Sequence, residues 1–111
     1  MALTKRYTNE IGPTYPQSVT YAAALSINLG VSTTVKVTLT GNVTSCVLTN
    51  LPHGLVTFII TQDGTGSRTW TWPANVKGGM TIGATASLSS VQSFISDGVN
   101  LYAHTPGVTN Q

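Results

Sequence analysis

Three features of the sequence predict an all-β fold, a small antiparallel β-sandwich or barrel. Apolar and polar residues alternate at period two over several short runs, and no long stretch has helical periodicity. The polar residues are mainly threonine, serine and asparagine, and charged residues make up only 7% of the chain, against about a quarter in a typical globular domain. Eleven glycines and five prolines punctuate the runs, which suggests about seven to nine short strands joined by regular turns. A chain of 111 residues is expected to build one core.

Residues 1–20 differ from the rest. They hold Lys5, Arg6, Glu10, Pro13, Pro16, Tyr7 and Tyr15 without periodicity. Proline biases the residue before it toward extended geometry, and tyrosine offers large contact area at low entropic cost. An extended N-terminal docking arm is therefore expected, followed by a β domain over residues 21–105 and a surface tail over 106–111.

Within the β domain, residues 22–29 place Leu25, Ile27 and Leu29 on one face. Residues 35–40 form an amphipathic strand with Val35, Val37 and Leu39 inward. Gly41-Asn42 is a turn, and residues 43–48 are the next strand. Leu51-Pro52-His53-Gly54 is a further turn. Residues 55–61 are apolar on both faces in the middle, as expected of a central strand. Left on an edge, this segment would be an aggregation hazard.

Residues 60–76 carry the strongest local signal. Alternating runs flank Asp63-Gly64-Thr65-Gly66, which predicts a β-hairpin. In its second strand, Arg68, Trp70 and Trp72 share one face, and Pro73 ends the run because proline gives no N–H to a ladder. The tryptophans have two readings: core residues beneath the sheet, or an exposed aromatic platform for sugar or partner binding, with Tyr102 in the same candidate group. Lys77-Gly78-Gly79 is a loop, and residues 81–85 are extended or loop. A strand near 87–96 leads into a second hairpin over residues 94–102, with Asp97-Gly98 at its turn.

The inventory for chemistry is thin. Two histidines, three carboxylates and one cysteine are available. His53 and His104 lack the short-spaced companions of a metal site. Asp63 and Asp97 each precede a glycine, where an aspartate caps its own turn. Cys46 lies in an alternating apolar run and reads as a buried structural thiol. No enzyme, cofactor or metal is expected. The net charge of +2 comes from Lys5, Arg6, Lys36, Arg68 and Lys77 against Glu10, Asp63 and Asp97. These charges are too few and too scattered for direct nucleic-acid binding. No apolar run is long enough for a membrane-spanning helix, and the first residues carry no secretion signal, so synthesis in a host cytoplasm is expected. A surface so poor in charge favours association, and a homo-oligomer is expected.

Taken in chain order, Gln62-Asp63-Gly64-Thr65-Gly66, Trp72-Pro73, Gly78-Gly79 and Ser96-Asp97-Gly98-Val99-Asn100-Leu101-Tyr102 resemble a small all-β domain of tailed-bacteriophage structural proteins. The likeness covers roughly residues 41–103. It implies a jelly-roll-like domain acting by binding. Such modules occur in capsid-associated and in tail-fibre proteins. With one such domain and an arm, the expectation is a capsid decoration (cement) protein on the virion surface. It would be a trimer that contacts the major capsid protein through Leu3, Lys5, Arg6, Tyr7 and Tyr15. The alternative is a tail-fibre or receptor-binding module that recognises host glycans through Arg68, Trp70, Trp72 or Tyr102.

Overall fold

A computed structural model describes residues 15–111. The fold is all-β. The described residues form β1 (Gln17–Val19), β2 (Ala24–Asn28), β3 (Thr34–Leu39), β4 (Ser45–Thr49), β5 (His53–Gln62), β6 (Val76–Lys77), β7 (Ser89–Asp97) and β8 (Leu101–Ala103). A six-stranded sheet has the order β1-β3-β5-β7-β8-β6, and β2 and β4 form a second, two-stranded sheet.

From β1 to β5 the chain alternates between the two sheets. β1, β3 and β5 lie parallel in one sheet, and β2 and β4 lie parallel in the other. The winding is solenoid-like, with successive coils stacked edge to edge. Asparagines stack at one corner: Asn28 Oδ1 accepts from Gly30 N and from Asn50 Nδ2 one coil further on, both at 2.8 Å. Gln17 Nε2 ties β1 to the same corner through the carbonyls of Asn28 and Ser32. From β5 onward the pairing changes. β7 is antiparallel to β5 and β8 to β7, while β6 closes the sheet parallel to β8.

The expectation of an antiparallel sheet throughout is thus corrected. Period-two patterning reports which residues face inward but not which strand lies alongside. Here short connections carry the chain across to the other sheet instead of folding it back as a hairpin. The inward faces match the sequence reading. Leu25, Ile27 and Leu29, then Val35, Val37 and Leu39, are all buried, and they join Val56, Phe58, Ile60, Phe94 and Leu101 in one core. Cys46 is buried there too, and desolvation pushes its thiol pKa up to about 11, so the thiol is inert at neutral pH. β5 is central, flanked by β3 and β7.

At the N-terminal end the domain boundary differs from expectation. Leu3, Lys5, Arg6 and Tyr7 lie outside the described residues. Tyr15 is described and is 82% exposed. Gln17–Val19, placed in the arm by the sequence, is a strand of the sheet. Residues 108–111 are exposed, as expected of a surface tail, and they also pair with β7. Val108 and Val91 exchange two backbone hydrogen bonds, as do Gln111 and Ser89, all at 2.8 Å. The tail takes the place beside β7 that the short β8 leaves open.

Candidate functional site

The Asp63–Gly66 turn forms, but the hairpin does not. Asp63 Oδ1 accepts from the backbone N–H of Thr65 and Gly66. Gly66 and Ser67 then both take positive φ, at 75° and 61°, and turn the chain away from the sheet. A hairpin partner would need a free edge on β5, and both edges are already paired, to β3 and to β7. Residues 67–72 therefore lie outside any strand and pack through Trp70 and Trp72 on the inner face of the six-stranded sheet.

Two buried glutamines replace the missing ladder. Gln62 accepts from Arg68 N at 3.0 Å and donates to Arg68 O and Gly83 O, both at 2.8 Å. Gln92 accepts from Met80 N at 2.7 Å and donates to Gly78 O and Thr105 O. Ser90 Oγ accepts from Gly83 N. These side chains hold residues 67–72 and 79–84 as the two walls of a groove. Neither glutamine is among the site residues expected from the sequence. Their signal was a polar residue at inward parity: Gln62 continues the row of Val56, Phe58 and Ile60, and Gln92 sits on the face of Phe94.

Trp70 and Trp72 close the floor between the walls. Trp72 meets Phe58 edge-on at 5.1 Å and Phe94 at 5.2 Å, and Trp70 meets Trp72 at 5.5 Å. Both tryptophans are half-buried and pack on the core, yet both also line the groove. The core reading thus holds for both rings, which also border the groove. Trp72 Nε1 donates to Met80 O at 2.8 Å, joining the walls. Gly79 lies so close to this ring that a Cβ there would fall 2.5 Å from Trp72 Cδ1. The cavity holds about 380 Å³ and is also lined by Ser67, Arg68, Thr69, Met80, Thr81 and Ile82. At its rim Arg68 Nη2 pairs with Asp63 Oδ2 at 3.1 Å. That guanidinium, with the Gly66 N–H, holds the Asp63 carboxyl below the usual carboxylate range.

Tyr102 is not part of this groove. It projects from the opposite, outer face of the six-stranded sheet. There Leu55 pairs with Ile95 and Ile95 with Tyr102 in register. The three form a continuous apolar row, 53%, 44% and 44% exposed.

The remaining polar candidates do not converge. Asp97 caps the β7–β8 turn, accepting from Val99 N at 2.9 Å and Asn100 N at 2.8 Å. The Asn100 and Val99 N–H groups hold its carboxyl below the usual range. Asp63 follows the C-terminal end of β5, whereas Asp97 faces His53 at its N-terminal end. The ten residues of β5 separate the two carboxylates, about 30 Å of strand, too far for a glycosidase pair. Among the described residues, no three His, Cys, Asp or Glu side chains gather as a metal site would require.

These carboxylates set an acid limit. Both folded pKa values are depressed, so the stability they contribute is present above the unfolded value of about 3.9 and is lost as pH falls through the folded values. The melting temperature is expected to be level from pH 5 to 7 and to fall below about pH 4. The double variant Asp63→Asn/Asp97→Asn should flatten that acid limb. Thermal melts followed by circular dichroism across pH check this.

No protein-family model, curated protein or solved structure matches the chain.

Proposed function

We propose that this chain is a bacteriophage virion structural protein, a capsid decoration protein that binds the outer capsid surface as a trimer and stabilises the shell. The observation that carries this reading is the exposed apolar row Leu55–Ile95–Tyr102 on the outer sheet face, in a chain with few charges to oppose association. In this reading the two sheets are the halves of a small sandwich, and the row is buried at the seams between subunits. Residues Leu3, Lys5, Arg6, Tyr7 and Tyr15 contact the major capsid protein, and the exposed Tyr15 supports an outward role for that end. Each copy bridges neighbouring capsid subunits and so favours the assembled shell by mass action.

A count of copies per virion by quantitative mass spectrometry tests the proposal. Near-stoichiometric abundance with the major capsid protein is expected, and a few copies per particle would sink the decoration reading. Deleting residues 1–16 is expected to weaken binding to purified capsids by at least about tenfold. Cosedimentation of variant and parent protein with undecorated shells measures this, and equal binding would remove the arm from the interface.

A further inference from the structure

We propose that the groove between residues 67–72 and 79–84 binds a neutral pyranose sugar, one or two rings long. This inference stands apart from the decoration reading, because the groove lies on the side of the sheet away from Tyr102.

The lining carries the chemistry. A pyranose has an apolar face of C–H groups and a rim of hydroxyls. The groove offers the counterpart of each: the indoles of Trp70 and Trp72 with Ile82 and Met80 on the floor, and Ser67, Thr69, Thr81 and Arg68 around the rim. Its volume of about 380 Å³ falls at the small end of ligand pockets, which start at about 300 Å³.

Charge selects the ligand class. Among the described residues, Arg68 is the only ionised side chain lining the groove, and Asp63 already pairs with it. A phosphate or other anion would have to compete with that carboxylate for the guanidinium. A neutral ligand can instead use the N–H groups that the pair leaves over, as a hydroxyl acceptor requires.

The walls are also held in place before any ligand arrives. Ser67 N donates to Ala84 O at 2.8 Å at one end, and Trp72 Nε1 donates to Met80 O at 2.8 Å at the other. Gln62 and Gln92 anchor the wall segments from below. A groove held this way loses little conformational entropy on binding, which suits a small ligand with few contacts.

The test is titration of the full-length protein with glucose, galactose, N-acetylglucosamine and maltose, followed by tryptophan fluorescence, together with a neutral-glycan array. At least one neutral sugar is expected to give a saturable change. Thr81→Phe, at an exposed rim position, should weaken that binding by at least about tenfold without changing the melting temperature. Val99→Ser, at the exposed β7–β8 turn away from the groove, should leave it unchanged. A blank array together with flat titrations to millimolar sugar would overturn the proposal. So would binding that survives Thr81→Phe, or a preference for sulfated or phosphorylated sugars over neutral ones.

Discussion

Gln92→Leu is expected to destabilise the fold by about 3–5 kcal/mol, a large share of the roughly 5–15 kcal/mol available to a domain of this size. Gln92 is 1% exposed, and its amide serves three backbone groups on two separate segments: Met80 N, Gly78 O and Thr105 O. Leucine keeps the bulk and removes every bond. One N–H and two carbonyls then lose their partner, each costing about 1–3 kcal/mol where water cannot reach. The melting temperature should drop by roughly 15 °C or more, and the groove wall and the C-terminal segment should loosen together. Denaturant unfolding gives the free energy, and hydrogen exchange at Met80 and Val108 reports the two segments. A loss below about 1 kcal/mol would mean that solvent replaces the amide there.

Phe58→Ala is expected to cost about 3–5 kcal/mol through the cavity it leaves. Phe58 is fully buried on β5, and its ring touches three others: Trp72 at 5.1 Å, Phe94 at 5.8 Å and Trp70 at 6.5 Å. The near edge-on angles of 87° to Trp72 and 84° to Phe94 add to the burial term, since such pairs contribute about 0.5–1.5 kcal/mol beyond area. Because this ring supports the groove floor, near-ultraviolet circular dichroism should lose tryptophan signal even in the folded state. The same truncation at Leu55, half exposed on the outer face of the same strand in the single subunit, should cost under about 1 kcal/mol in the unfolding of the isolated subunit. Equal costs at the two positions would contradict the assigned faces of β5.

Much of the candidate site was readable before the fold was known, but its arrangement was not. Arg68, Trp70 and Trp72 stood out as a group, and they do line one groove. Tyr102 belongs to the same candidate group in the sequence, yet strand parity puts it on the outer face beside Ile95. The Asp97-Gly98 turn formed its hairpin because one edge of β7 was free to receive β8. The Asp63-Gly64 turn, with an equally strong local signal, did not, because β3 and β7 occupy both edges of β5. The coils leave no visible repeat in the sequence because they differ in length. Val35 follows its partner Gln17 by fewer residues than Phe58 follows Val35.

The sequence by itself determined the β class, the inward faces of β2 and β3, the central place of β5, the buried thiol of Cys46 and the capped turn at Asp97. All of these follow from local rules, namely the period of side-chain alternation and the hydrogen bonding of an aspartate to its own turn. Only the tertiary structure decided the parallel coils, the fate of the tryptophan segment and the roles of Gln62 and Gln92. Those depend on which edges other strands have already filled and on which backbone groups that leaves without partners. A backbone polar group must be satisfied wherever the chain ends up, and the partner it finds can lie far away in sequence.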